Sequence, residues 1–215
     1  MITIETYCRT EAGEFLPFES MSDFSSEFDL IEGAVEITID GQTLIGIQEW
    51  DYVFPLWAYI TDMAAELGSV NSASLRFPDQ PIRIDALRGP NGIRLHLHGG
   101  ALDRTVVANE AEFLEAVHGR GKSFFEGVIS QFPTQLSVIA TYRDKLEELH
   151  ENSSHAVRWE ERIGSQKVAA FREAERQAGR RLTPAERESL ITEVAGCRIA
   201  FQDLVMRVIR VLEKG

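Results

Sequence analysis

Apolar and polar residues alternate with a two-residue period along much of the first hundred positions. Ile2, Ile4 and Thr6 lie on one side of this alternation, which is typical of a half-buried β-strand. The stretch AVEITIDGQTLIGI holds two such runs around an Asp-Gly dipeptide, which tolerates the positive φ angles of a tight hairpin turn. Four further runs, bounded by proline and glycine turns, predict strands at residues 73–77, 81–87, 92–98 and 102–108.

The period changes to that of a helix in the stretch WDYVFPLWAYI, which begins at Trp50. A helix is predicted from Asp51 to Leu67, with Gly68 as its C-terminal stop. Wound as a helix, the stretch shows two apolar stripes. One consists of Trp50, Val53, Phe54, Trp57, Ile60, Ala64 and Leu67, and the other of Tyr52, Leu56, Tyr59 and Met63. One stripe should face the sheet, and the other should meet C-terminal helices or another molecule.

The second half of the chain has helical patterns. A helix from Asn109 should break at Gly119 and Gly121, and further helices are predicted at 122–132, 134–150, 165–178 and 183–213. The polar stretch HENSSHAVRWEER at 150–162 is predicted to be a joint. The expected fold is therefore α+β. A mostly antiparallel sheet from residues 1–108 is covered on one face by helices within an acidic domain, 1–150, and a helical extension, 151–215, follows.

Apolar residues in the last predicted helix are spaced alternately by four and three positions, as in a coiled-coil seam. The seam consists of Leu190, Val194, Cys197, Phe201, Leu204, Val208 and Val211. Two interpretations remain open. The seam packs within the chain, with the extension folded onto the body, or it joins two copies in a homodimer.

The charge is unevenly placed along the chain. Residues 1–107 hold 17 acidic and 6 basic residues, a net charge of −11 out of −12 for the whole chain. Such a body should repel nucleic acid and anionic membranes and attract a basic protein. The alternative is that the acidity only maintains solubility. No secretory leader or 20-residue apolar run is found, and the two cysteines suit a reducing compartment, so a cytoplasmic location is expected.

Motifs of catalysis are missing from the sequence. Gly121-Lys122-Ser123 looks like the end of a phosphate-binding loop, but that motif needs a glycine where Ala116 stands and a strand before it. Neither the GxSxG nor the HExxH pattern occurs. We therefore expect a protein without enzymatic activity and without a cofactor.

His96 and His98 form a pair with metal-ligand spacing. On a strand, the period of two places both imidazoles on the same face. Asp85, Asp103 or His118 would be the third ligand. The same alternation also fits two histidines on a solvent-facing side of a strand whose leucines are buried opposite.

In its size, acidity and lack of a catalytic motif, the chain resembles the small acidic proteins with which bacteria neutralise toxins. The resemblance implies a protein-binding module of the immunity or inhibitor type that occludes a basic partner. Exposed aromatic residues with an acidic rim would then carry the binding. The candidates are Asp51, Tyr52, Tyr59, Asp62 and Glu66, with Phe24 and Phe28. The alternatives are an assembly subunit that oligomerises through the C-terminal seam and a metal-assisted enzyme centred on His96 and His98.

Overall fold

The computed structural model describes residues 1–21, 27–89, 91–194 and 199–213, and the side chains of residues 69, 152–163 and 165 lie outside this description. It has the expected α+β architecture, with antiparallel strands in the N-terminal half and helices mainly in the C-terminal half. None of the described helices combines the length and the apolar character needed to cross a membrane.

The strands of the described residues form two antiparallel sheets, and the expectation of one sheet is therefore wrong in this detail. The first contains β1 (Ile2–Arg9), β2 (Phe15–Pro17), β3 (Glu32–Ile39), β4 (Gln42–Ile45) and the short β5 (Asp51–Tyr52), in the order β2-β1-β3-β4 with β5 also paired to β3. The predicted hairpin is confirmed. Asp40 and Gly41 turn with φ angles of 49° and 79°, between β3 and β4.

The second sheet is the predicted meander. It contains β6 (Ser72–Arg76), β7 (Arg83–Gly89), β8 (Gly92–Gly99) and β9 (Leu102–Ala108), in sequence order. The helix α1 (Val53–Ser69) lies between the two sheets in the chain, and it packs against strands of both. Its C-terminus falls one residue beyond Gly68.

Two long helices complete the main core. α2 (Glu110–Gln131) contacts β1, and α3 (Leu136–Ile163) returns along α2 and also covers α1. Asn109 caps α2 by accepting a hydrogen bond from the Glu112 amide at 3.1 Å, as predicted. α3 meets α1 at Phe54, whose ring lies edge-on to that of Tyr142. In the second stripe of α1, Leu56 and Met63 are buried, whereas Tyr59 is 43% exposed.

α2 runs without interruption through the two glycines at which a break was predicted. Gly121 is buried, and a Cβ at this position would lie 2.8 Å from Leu146 Cδ1 and 3.1 Å from Trp57 Cζ3. The glycine therefore allows close packing of α2 against its neighbours, at a cost in helix propensity of about 1 kcal/mol relative to alanine.

The predicted joint at 150–162 is also wrong, because α3 continues through it to Ile163. The stretch is polar, but it holds no glycine or proline, and most of its residues are adequate helix formers. The helix ends where Gly164 takes a φ of 79°, a value that glycine adopts at little cost.

The C-terminal region has three described helices: α4 (Ser165–Ala178), α5 (Pro184–Val194) and α6 (Phe201–Leu212). The prediction of a single helix over 183–213 is therefore wrong, since Ala200 is extended, with φ −66° and ψ 146°. Four of the seam residues, Leu190, Val194, Leu204 and Val208, are buried in an apolar cluster shared by these three helices. Phe201 is 46% exposed, and Cys197 lies outside the described residues.

A buried polar network joins this helical cluster to the main core. Glu110, at the start of α2, accepts hydrogen bonds from Arg88 of β7 at 2.9 Å and from Arg181, which follows α4. Nearby, the Asn71 side chain donates to the Glu175 carbonyl oxygen at 2.5 Å. In this chain the helical extension therefore contacts its own body.

Candidate functional site

The outer face of the first sheet brings aromatic and acidic side chains together. Residues directly paired in an antiparallel sheet point to the same side, and here Glu5 pairs with Glu36 and Tyr52 pairs with Glu32. Tyr7 stands between them on β1. We call these five residues, Glu5, Tyr7, Glu32, Glu36 and Tyr52, the acidic aromatic face. All five are partly exposed.

The opposite side of β1 explains why these residues point outward. Ile4, Thr6 and Cys8 are buried towards the helices, and the Trp57 indole N–H of α1 donates to Thr6 Oγ1 at 3.0 Å. The strand alternation therefore fixes Glu5 and Tyr7 on the solvent side.

Two of the three carboxylates of this face are paired with arginines of the described chain, and Glu36 is not. Partial burial, together with Glu36, Glu5 and Glu19 nearby, raises the pKa of the Tyr7 hydroxyl. Arg120 pairs with Glu5 at 2.9 Å and Arg9 pairs with Glu32 at 2.8 Å. Among the described residues, no basic side chain forms an ion pair with Glu36.

Like charges directly opposite each other in a sheet oppose folding. The Glu5–Glu36 pair is such an arrangement, and Glu36 is not compensated by a cation within the described chain. Half-exposed tyrosines beside an uncompensated carboxylate are suited to contact a partner that carries positive charge.

The predicted partner-binding residues do not form one surface. Tyr52 lies on the acidic aromatic face. Asp51 is 3% exposed, and its carboxylate accepts hydrogen bonds from the backbone amides of Asp79 and Gln80, both at 3.0 Å. The expectation that Asp51 forms part of an exposed rim is therefore wrong, because its charge is used to hold the turn between β6 and β7.

The other candidates from α1 lie on the opposite side of the first sheet from Tyr52. Tyr59 is 43% exposed and Glu66 is exposed, while Asp62 forms an ion pair with Lys145 at 2.5 Å. Phe28 packs edge-on against Phe54, with ring centroids 4.6 Å apart, and is only partly exposed. Phe24 lies outside the described residues.

His96 and His98 lie on the outer face of the second sheet, as the alternation predicted. Their rings stack with centroids 4.7 Å apart. His98 Nε2 lies 2.8 Å from Asp85 Oδ2, and His96 Nε2 lies 2.8 Å from Asp103 Oδ1. The ligand atoms of Asp85, His96 and His98 all lie within 4.8 Å of one another.

This histidine pair has a competing cation beside it. The guanidinium of Arg83 donates from Nε to Asp85 Oδ1 at 2.6 Å. Burial alone would raise the pKa of Asp85, but hydrogen bonds from Arg83 and His98 outweigh it and lower that pKa. Two imidazoles and one carboxylate are a suitable ligand set for a divalent transition metal, although Arg83 already holds one of the carboxylate oxygens.

Cys8 is not an accessible nucleophile. Its side chain is 1% exposed, and burial, with a smaller contribution from Glu19, raises the pKa of the thiol to about 12. The reactive form, the thiolate, is therefore scarce at neutral pH.

Sequence reasoning missed four residues of the acidic aromatic face: Glu5, Tyr7, Glu32 and Glu36. Glu5 and Tyr7 belong to a strand that was correctly predicted, so their outward direction was readable from the alternation. The position of Glu32 and Glu36 beside them could not be predicted from the sequence, because the pairing of β1 with β3 is a tertiary feature. The chain matches no protein-family model, no curated protein and no solved structure.

Proposed function

We propose that the chain is a non-catalytic protein-binding module that uses the acidic aromatic face to occlude a basic surface of another protein. The observation that carries the proposal is the side-by-side position of Tyr7 and Tyr52 with Glu5, Glu32 and Glu36 on one sheet face. Tyrosine supplies large contact area at low cost in conformational entropy, and the carboxylates supply charge complementarity.

The distribution of charge along the sequence also supports a basic partner. Most of the net charge of −12 belongs to residues 1–107, which form the two sheets and α1. A basic partner approaching this region would be accelerated by its field, and the effect should weaken as salt increases. An immunity or inhibitor role is the form of this proposal that agrees with the resemblance to small acidic neutralising proteins.

The experiment is affinity capture from a native lysate with the full chain and with Glu36→Lys. The substitution reverses one charge on the face and creates a favourable cross-strand pair with Glu5, so the fold should be retained. We expect a partner that is captured at low salt, released at high salt, and captured about tenfold less by the variant.

The matched control is Glu148→Lys, which makes the same charge change at an exposed position of α3. It should capture the partner as the unmodified chain does. Capture that ignores ionic strength, or that falls equally in both variants, contradicts the proposal.

A metal site at the second sheet is the second candidate, favoured by the approach of Asp85 to His96 and His98. The three groups would hold one divalent ion and leave a position open for water or substrate. We expect elemental analysis of tag-free protein, dialysed after addition of zinc, to show one equivalent less in His96→Asn/His98→Asn than in the unmodified chain. An unchanged zinc content rules this site out.

A further inference from the structure

Two histidines and two glutamates meet between α2 and α3, away from both sheet faces. Glu115 and His118 are three residues apart on α2, and Glu147 and His150 are three residues apart on α3. Positions i and i+3 share one side of a helix, so each helix presents a Glu-x-x-His motif to the other.

In this cluster each histidine contacts the glutamate of the other helix. His150 Nδ1 lies 3.1 Å from Glu115 Oε2, and His118 Nε2 lies 3.4 Å from Glu147 Oε2. The two imidazole rings stack with centroids 4.2 Å apart and an interplanar angle of 15°. The side chain of His118 is only 12% exposed, so the cluster is partly withdrawn from water.

We propose that Glu115, His118 and His150 bind one divalent transition-metal ion, with Glu147 as the carboxylate that orients the His118 ring. The ligand atoms of the three ligands all lie within 4.8 Å of one another. This site goes beyond the proposed binding function, since it shares no residue with the acidic aromatic face.

The distances fit a tetrahedral ion with small side-chain movements. Ligand atoms at about 2.0–2.1 Å from Zn²⁺ in tetrahedral geometry are about 3.3 Å apart. The 3.1 Å between Glu115 Oε2 and His150 Nδ1 is already close to this value. The ligand nitrogen of His118 needs to approach by at most about 1.5 Å, and its ring must rotate out of the stack with His150 so that both imidazoles point at one ion.

Glu147 has a defined place in this arrangement. One of its oxygens is held by Lys122 at 2.5 Å, and the other lies next to His118. Metal-bound histidines commonly donate their second N–H to a carboxylate, which fixes the ring and increases its basicity. Lys122 balances the charge of Glu147, so that Glu115 is the carboxylate left to neutralise the ion.

The number of ions follows from the number of helices that contribute. Helix-bundle sites for two metal ions use Glu-x-x-His motifs from two helices and further glutamates from two other helices. Here α2 and α3 supply the whole described cluster. Two imidazoles and one carboxylate suit one zinc or iron(II) ion, with water in the remaining position.

The test is titration of tag-free, chelator-stripped full chain with Zn²⁺, followed by competition with a chromophoric chelator. The background is His96→Asn/His98→Asn, which removes the other histidine pair. We expect one equivalent bound in this background, at least about 100-fold weaker binding after the further change His118→Asn or His150→Asn, and about 10–100-fold weaker binding after Glu147→Gln.

The matched control is Glu148→Gln, which removes a neighbouring exposed carboxylate on α3 and should leave zinc affinity unchanged. Circular dichroism and thermal unfolding of the metal-free variants establish that each is folded. Zinc binding that disappears in the background variant, or that persists unchanged after His118→Asn, overturns the proposal. Neither result affects the capture experiment, so the two proposals fail separately.

Discussion

Replacement of Glu110 by glutamine is expected to lower the free energy of unfolding by about 3–5 kcal/mol. Removal of one partner from a buried ion pair leaves its counterpart charged and uncompensated, which costs this amount in typical proteins. In this chain the loss strands two guanidinium groups, those of Arg88 and Arg181, whose side chains are 2% and 16% exposed.

The contacts of Glu110 explain why the effect should exceed that of an ordinary surface pair. Arg88 donates to both carboxylate oxygens at 2.9 Å, and Arg181 donates to one of them. Arg88 also donates to the carbonyl oxygens of Leu67 and Val70, at the end of α1. Glu110 thus fixes one arginine that ties the second sheet to α1 and another that ties the C-terminal helices to α2.

The measurement is urea unfolding followed by circular dichroism, at neutral pH, with Glu112→Gln as the control. Glu112 lies one half-turn along α2, and its side chain is 58% exposed. Its loss should change stability by less than about 0.5 kcal/mol. A Glu110→Gln variant as stable as the control would mean that the two arginines find other partners or water.

The contribution of the Glu110 carboxylate to stability should also depend on pH. Burial alone would raise the pKa of Glu110, but Arg181 and Arg88 outweigh it and lower the pKa below its ordinary value of 4.5. A lowered pKa contributes stability that is complete above the ordinary pKa and is lost as pH falls through the folded value. The stability difference between the unmodified chain and Glu110→Gln should therefore be constant above about pH 5 and shrink below pH 4.5.

Local patterns in the sequence predicted the elements that depend on neighbouring residues. The Asp40-Gly41 hairpin and the β6–β9 meander are set by alternation and by turn residues, both of which are visible in a short window. The failures involve residues whose role is defined by distant parts of the chain. Gly121 looks like a helix breaker until Leu146 and Trp57 are placed beside it.

In the candidate sites too, contacts within one element were predictable from the sequence and contacts between distant elements were not. The shared face of His96 and His98 was predicted because both lie on one strand, and Asp85 was one of the third ligands considered. The pairing of Glu5 with Glu36 and the crossing of the two Glu-x-x-His motifs need the register of β1 with β3 and of α2 with α3. Sequence separation of about 30 residues in each case placed these contacts beyond any local pattern.

Truncation of Trp57 to alanine is expected to lower the free energy of unfolding by about 3–5 kcal/mol, the usual cost of removing a buried indole. Trp57 is 0% exposed, and it stacks on Phe124 with ring centroids 5.9 Å apart. Gly121 faces the same ring without a side chain, so this neighbour has no atoms with which to fill the resulting cavity.

The indole N–H can be tested apart from the ring. Thr6→Val replaces the hydroxyl that accepts from Trp57 Nε1 at 3.0 Å by a methyl group of similar size. A buried donor without an acceptor costs about 1–3 kcal/mol, so this variant should lose that amount while the packing is kept. A loss as large as that of Trp57→Ala would show that the hydroxyl, rather than the ring, dominates.

The matched control is the other tryptophan of the same stretch, Trp50, which is only partly buried and lies under the guanidinium of Arg9 at 4.5 Å. Such a cation–π contact contributes about 0.5–1 kcal/mol at an exposed site, so Trp50→Ala should be much milder than Trp57→Ala. Urea unfolding measures all three variants. Equal losses from Trp50→Ala and Trp57→Ala would contradict the assignment of one tryptophan to the core and the other to the surface, because burial of the side chain is the main difference between them.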